Sequence, residues 1–256
     1  MAKAVMGKRS KAILSLAAFC VLLPLSGLAK YAGDVFALDI WKLTIPLDDN
    51  TDDDGFADEV KMPVLRRFED PDFFRMSKMG DSIIFKAKCS DPTTPGSAYP
   101  RCELREMKPG GETKASWGTN DGLRHTLAAT LAINAVPAVK KHVVCIQIHD
   151  AEGDFLQIRL EGSRLFIERD GAEPVILNEN YKMGEFFSLI MVIEKGSILY
   201  LHNQKQVMKW KTERKACYFK AGCYTLSNAE KGDSPDAFGE VEIQRLYVVH
   251  KKEEAK

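Results

Sequence analysis

The sequence predicts an all-β sandwich, and three observations carry that prediction. Beyond Trp41, most segments place β-branched and aromatic residues at alternate positions, the period of a strand with one buried face. Turn-forming residues interrupt these runs roughly every eight to twelve positions, the rhythm of sandwiches and barrels. Stretches with helical periodicity are scarce. A length of 256 residues suits one all-β unit, and 45% hydrophobic residues suffice for one sizeable core. With 28% charged residues, 18 Gly and 11 Pro, the composition excludes a collagenous, low-complexity or mostly disordered chain.

Taken in order, segments 82–88, 143–149, 155–160 and 164–168 read as strands, the last two joined by the turn Glu161-Gly162-Ser163. Segments 186–194 and 198–202 make a second hairpin around Lys195-Gly196-Ser197. Segment 125–134 is alanine-rich, yet Leu127, Ala129, Leu131 and Ile133 alternate with Thr126, Ala128, Thr130 and Asn134, so a strand is expected there rather than a helix. The closing strand spans 239–250, where Val241, Ile243, Leu246 and Val248 keep one apolar side except near Gln244-Arg245, the place for a bulge. No repeat, linker or composition break divides the chain. A single domain over 30–256 is therefore expected, its body running from about Val35 to His250 and its tail, 251–256, frayed.

Ahead of that domain, Lys3, Lys8, Arg9 and Lys11 precede an apolar run at 12–25 and the small residues of Ser26-Gly27-Leu28-Ala29. This is the order of a secretory signal, so residues 1–29 are expected to be removed and the protein secreted. An uncleaved anchor is the weaker reading, because the run of about 14 residues falls short of the roughly 20 that span a bilayer. Lys plus Arg equals Asp plus Glu at 36 each, so no global basic excess draws the chain to nucleic acid. Losing 1–29 removes four basic residues and no acidic one, leaving 32 against 36 and a mildly acidic net charge of −4. Cys20 leaves with it. Cys89, Cys102, Cys145, Cys217 and Cys223 remain, an odd number, so at least one thiol has no partner within the chain.

The acidic segment 50–58 sets oxygen donors at alternate positions with Gly55 sixth, like the front of a calcium loop. Lys61 stands where the closing bidentate Glu is required, so a solvated acidic turn is expected, and no metal.

Three stretches carry chemistry. Because successive strand side chains face opposite ways, Arg101, Glu103 and Arg105 separate from Cys102 and Leu104; Gln147 and His149 separate from Ile146 and Ile148; and Tyr218, Lys220 and Tyr224 separate from Phe219, Ala221 and Cys223. An antiparallel sheet normally has one wet face, and Arg, Glu and Lys need no purpose there. Two Tyr, a His and a Gln among such neighbours are not what an idle wet face favours. Together they suit an acidic sugar polymer: the cations hold carboxylates, and the rings pack on sugars. The paired carboxyls of a hydrolytic glycosidase are not evident, since Glu103 between two arginines would stay ionised. A uronate offers another route. Neutralising its carboxylate makes the adjacent C5 proton removable, and the intermediate expels the 4-linked oxygen. This β-elimination needs charge-neutralising donors, a base and an acid, without metal or cofactor.

At these residues the sequence resembles the alginate lyases of polysaccharide lyase family seven. Three of that family's motifs occur in order, Arg-x-Glu-Leu-Arg at 101–105, Gln-Ile/Val-His at 147–149 and Tyr-Phe-Lys-Ala-Gly-x-Tyr at 218–224, with a lesser likeness in Trp41-Lys42-Leu43-Thr44-Ile45-Pro46. The resemblance implies a β-jelly roll of two antiparallel sheets with a concave cleft for alginate. It implies that Arg101, Gln147 and His149 neutralise the carboxylate and that Tyr224 is the acid, and the base too where the proton lies on the leaving-group side. For guluronate it implies a neutral His149 as base. Arg105 and Lys220 would bind neighbouring uronates, Glu103 would orient the arginines, and Tyr218 joins the substrate-binding set. Ile148 is associated with guluronate-containing substrate. Leu226 departs from the family's usual Gln, which removes a polar contact from the cleft.

Cys145 shares the parity of Gln147, which would set a thiol near one end of the cleft, although a small buried filler is the favoured reading. A Cys89–Cys102 bridge would brace the strand carrying Arg101, a pairing that sequence leaves open. The expected protein is a secreted, monomeric, endo-acting lyase without cofactor. A non-catalytic polyuronate-binding module and a lyase for another polyuronate, such as glucuronan, are the alternatives.

Overall fold

The computed structural model describes residues 31–49 and 54–252. The expected signal at 1–29, residues 50–53 of the acidic segment and the final four residues lie outside the described residues. The strands are β1 (Trp41–Ile45), β2 (Asp58–Val60), β3 (Phe74–Met76), β4 (Ile83–Lys88), β5 (Arg101–Glu106), β6 (Leu123–Ala135), β7 (His142–His149), β8 (Asp154–Glu161), β9 (Arg164–Arg169), β10 (Ala172–Asn178), β11 (Phe187–Glu194), β12 (Ser197–His202), β13 (Lys205–Lys211), β14 (Tyr218–Tyr224) and β15 (Phe238–Lys252). They form an eight-stranded sheet, β10-β9-β8-β7-β14-β5-β1-β2, and a seven-stranded sheet, β13-β12-β11-β6-β15-β4-β3. The named strand pairs are antiparallel, and the two sheets make the jelly-roll sandwich.

Alternation produces this layering. Along β11, Phe187, Leu189, Met191 and Ile193 are buried, while Ser188, Ile190, Val192 and Glu194 are only partly covered. Facing them across the sandwich, Leu104, Ile148, Ile158 and Phe219 are fully buried, each burial stabilising by about 1.5–3 kcal/mol. The alanine-rich segment is a strand, the centre of β6, paired with β11 on one side and β15 on the other. Small alanines suit it because neighbours on both sides supply the bulk.

The four sheet edges, β2, β3, β10 and β13, are all among the strands that the sequence pattern did not single out; β1, interior to its sheet, is the other. Edge strands are short or exposed on both faces, so no alternation marks them; β13 buries only Met208. A register shift between Ile243 and Arg245 is the expected bulge in β15.

Two expectations need correction, and one pairing that the sequence left open is decided. Lys251 and Lys252 are not frayed, because they pair with Arg124 and Leu123 of β6. Cys89 and Cys102 form no bridge: all five described cysteines are free and buried. Cys102 points into the core, its Sγ donating to the Phe73 carbonyl at 3.3 Å, whereas Cys89 lies at the end of β4 in the other sheet, hydrogen-bonded to Ser227. Cys145 is the small buried filler of the favoured reading, but it does not share the face of Gln147. The β7–β8 register shifts between Val144 and Ile146, and the irregularity turns both Cys145 and Ile146 into the core, with the Cys145 Sγ donating to the Ile158 carbonyl at 3.4 Å.

A partly buried polar chain ties the sheets together at one end. His125 of β6 meets His250 of β15 through their Nδ1 atoms at 2.6 Å, and the His250 Nε2 lies 2.6 Å from Glu106 Oε1 of β5. The other Glu106 oxygen accepts from Trp117 Nε1 at 3.0 Å and from the Phe219 backbone N–H at 2.9 Å. Glu106 thus anchors the strand that carries Tyr218 and Lys220.

Candidate active site

Three adjacent strands, β7, β14 and β5, bring every sequence-predicted site residue to the outer face of the eight-stranded sheet. Their core-facing residues, Ile148, Phe219, Ala221, Cys223, Cys102 and Leu104, hold the opposite parity. Register then sets the neighbours. Lys220 lies opposite Arg105 on one side and Gln147 on the other; Tyr218 lies opposite His149; Tyr224 lies opposite Arg101. Gly222, opposite Glu103, lets the strands close up. Its φ is +148°, and a Cβ there would sit 2.5 Å from the Cys102 carbonyl oxygen and 2.7 Å from the Glu103 Cα.

Contacts run unbroken through the set. The Arg101 guanidinium lies over the Tyr224 ring, 3.8 Å from its centroid, and its Nη1 is 3.4 Å from Glu103 Oε2. Lys220 Nζ reaches the same Glu103 oxygen at 2.5 Å. The other Glu103 oxygen accepts from Gln147 Nε2, and Gln147 Oε1 lies 3.0 Å from His149 Nε2. His149 stacks on Tyr218 with ring centroids 5.2 Å apart, and Arg105 covers the Tyr218 ring at 3.9 Å.

The donor inventory of this chain sets a tautomer. Glu103 is fully buried; burial opposes its charge, but Lys220 and Arg101 together outweigh that and hold its carboxyl below the usual range. An ionised carboxylate only accepts, so Gln147 must turn its amide nitrogen toward Glu103 and its carbonyl oxygen toward His149. Nε2 of His149 therefore carries the hydrogen, and Nδ1 keeps the lone pair. Burial, then the charge of Lys220 with help from Arg101 and Arg105, pushes the His149 pKa down to about 3 against the pull of Glu103, so the ring is a neutral base. Lys220 falls to about 8, burial and Arg101 lowering it against Glu103. Tyr224 is raised, mainly by burial, with Arg101 and Ser97 pulling the other way.

Several residues at the site were not singled out from the sequence. Lys42 lies opposite Arg105, is 5% exposed and is paired with Glu59, extending the cationic row Lys220–Arg105 across β1. Its parity in the buried strand 41–45 was a usable signal. Ser97 and Tyr99 come from the loop before β5. Ser97 Oγ is 3.3 Å from the Tyr224 hydroxyl and accepts from Arg101 Nη2 at 2.9 Å, and nothing in a Pro/Gly-rich loop announces this. Beside Tyr224 a cleft of about 470 Å³ continues over β8 and β9, lined by Asp154, Gln157, Arg159, Arg169 and Leu226 among others. Among the described residues no group of three or more His, Cys, Asp or Glu could hold a metal ion.

A jelly-roll sandwich whose open polar cleft carries Arg, Gln, His and Tyr on neighbouring strands defines a polysaccharide lyase. The chain belongs to the alginate lyase family, whose model matches residues 36–250. A solved alginate lyase of polysaccharide lyase family 7 is 43% identical to it, with a TM-score of 0.80 over 86% of this chain and 98% of that one. The alginate lyase of Corynebacterium sp. is 33% identical, with a TM-score of 0.81 over 88% of this chain and all of that one. An alginate lyase of Klebsiella pneumoniae is 41% identical over 83 residues, which span 32% of this chain and 26% of that relative's length.

Proposed function

We propose that this protein is an endo-acting alginate lyase that cleaves the 1,4-linked polymer by β-elimination, with guluronate-containing blocks as the favoured substrate, and that it acts as a secreted monomer after loss of residues 1–29. The unbroken chain of contacts from a neutral His149 through Gln147, Glu103 and Arg101 to Tyr224 carries the reading. Arg101 and the second N–H of Gln147 neutralise the carboxylate, which raises the acidity of C5, while the neutral His149 ring, its one N–H given to Gln147, is left to act as base. In guluronate the C5–H bond breaks toward the lone pair of His149 Nδ1. The freed electron pair becomes the C4–C5 double bond, the C4–O bond breaks, and the leaving oxygen takes the proton of Tyr224. Where the proton lies on the leaving-group side, Tyr224 first gives its own proton to solvent; its phenolate then takes the C5 proton and returns it to the leaving oxygen. Lys220, Arg105 and Lys42 form a row of cations for the flanking carboxylates, and Tyr218, stacked between His149 and Arg105, fixes the orientation of both at the substrate. A cleft that continues past Tyr224 over β8 and β9 supports binding of more than one sugar and so internal cleavage, and Ile148 supports the guluronate preference from beneath.

The test is the ultraviolet absorbance of the unsaturated uronate formed when the protein meets alginate, with Tyr224→Phe abolishing it while alginate binding persists. A Tyr224→Phe variant as fast as the parent overturns the mechanism. Rates on guluronate, mannuronate and glucuronan polymers fix the substrate, and early products of intermediate length are the outcome expected of an endo enzyme.

A further inference from the structure

Ser97 lies outside every motif that identifies the site, yet its hydroxyl sits between the proposed acid and the arginine stacked upon it. A serine oxygen has two lone pairs and one hydrogen. Both lone pairs are claimed by groups that can only donate, Arg101 Nη2 at 2.9 Å and the Tyr99 backbone N–H at 3.3 Å. The single hydrogen has two acceptors within reach, the Tyr99 carbonyl at 3.1 Å and the Tyr224 oxygen at 3.3 Å. Two consequences follow from that count. With its lone pairs filled, Ser97 leaves the hydrogen of Tyr224 free to point into the cleft, toward a leaving oxygen. A neutral phenol oxygen is a poorer acceptor than a carbonyl, whereas a phenolate is a better one. The Ser97 hydrogen therefore rests on Tyr99 while Tyr224 is protonated and swings to Tyr224 once that proton has gone.

We propose that Ser97 is a positioning residue for proton delivery, its hydroxyl rotating from the Tyr99 carbonyl to the Tyr224 oxygen as the phenol ionises and so favouring the transition state over the bound substrate. This rests on the reading that Tyr224 supplies the proton. At the acid, one proton leaves the Tyr224 oxygen for the leaving oxygen while the Ser97 O–H bond stays intact. The C5 proton has gone to His149 in guluronate, so Tyr224 is reprotonated from solvent, whereas on the leaving-group side the proton that the phenolate delivers is the one it took from C5. An interaction gained only as charge develops raises kcat and leaves substrate affinity alone. The charged groups acting on the phenol are Arg101 and, further off, Glu103 from β5 and Asp154 from β8; the Tyr99 ring, 6.3 Å away, is uncharged. None of the three can supply a rotating hydrogen.

The experiment compares Ser97→Ala and Ser97→Thr in the absorbance assay across pH. A lost hydrogen bond to a charged oxygen predicts a fall in kcat of about ten- to a hundredfold for Ser97→Ala. KM should stay within about twofold and the basic limb of the kcat profile should move to higher pH, because the phenolate has lost a donor. Ser97→Thr, which keeps the hydroxyl, should restore both. A serine that only anchored Arg101 would raise KM and leave the basic limb in place, and that result, or an unchanged kcat, overturns the proposal. If Tyr224→Phe is inactive while Ser97→Ala matches the parent, only the role of Ser97 falls; if Tyr224→Phe is fully active, the mechanism falls first.

Discussion

Replacing Glu103 by Gln removes one negative charge and almost no volume from the centre of the site, and the structure sets the consequence. Glu103 is fully buried and receives Lys220 at 2.5 Å, Arg101 at 3.4 Å and the Gln147 amide. Without the carboxylate, two cations that are each 7% exposed lose their counter-charge, a perturbation that costs about 3–5 kcal/mol when one partner of a buried pair is deleted. For a domain of this size that is a fall in melting temperature of roughly 6–20 °C. Lys220 limits the loss. Burial and Arg101 already hold its pKa at about 8 with Glu103 in place, and without Glu103 it gives up its proton more readily. The folded variant then binds fewer protons than the unfolded chain, whose lysine stays charged to about pH 10.4, so the variant regains stability as pH rises toward that value. Activity fails for a separate reason. A glutamine can present either its nitrogen or its oxygen to Gln147, so the constraint on the His149 tautomer is lost, and kcat should drop by about tenfold or more, as for other losses of general-base function. Thermal melts at neutral and alkaline pH, paired with the absorbance assay, test both parts. A Glu103→Gln protein that melts within 2 °C of the parent and turns over at the parental rate would refute the reasoning.

Two further outcomes follow from the same geometry. The His149 pKa of about 3 lies below its unfolded value of about 6.5, so the ring stays a neutral base as pH falls through that window, and its contribution to stability is lost progressively on the way down; an NMR titration of the histidine rings should show no His149 midpoint near pH 6.5, and a resonance titrating there that is missing from His149→Asn would contradict the burial argument. Gly222→Ala forces a methyl group against backbone atoms of β5 at a φ of +148°, so the variant should lose about 3 kcal/mol or fail to fold, and one that melts with the parent would show that β14 and β5 have slack.

Much of the site was legible because β5 and β14 alternate without interruption. Arg101, Glu103 and Arg105 were sorted correctly from Cys102 and Leu104 by counting positions, as were Tyr218, Lys220 and Tyr224 from Phe219, Ala221 and Cys223. The same counting failed at Cys145, since the β7–β8 irregularity between Val144 and Ile146 reverses the faces and leaves no mark in composition. It was silent for the edge strands, which are three residues long (β2, β3) or largely uncovered (β10, β13), so period-two burial leaves no signal.

By itself the sequence determined the strand content, the central strands, the ordered motifs and the sign of the charges available to a polyuronate, because each of these depends on residues close together along the chain. Which strands became neighbours, that Glu103 bridges Lys220, Arg101 and Gln147, that Nε2 of His149 carries the hydrogen, and that Ser97 meets Tyr224 across 127 positions were decided only by the tertiary structure. Those relations depend on register, burial and the pairing of donors with acceptors between segments remote in the chain, and no local pattern of residues encodes them.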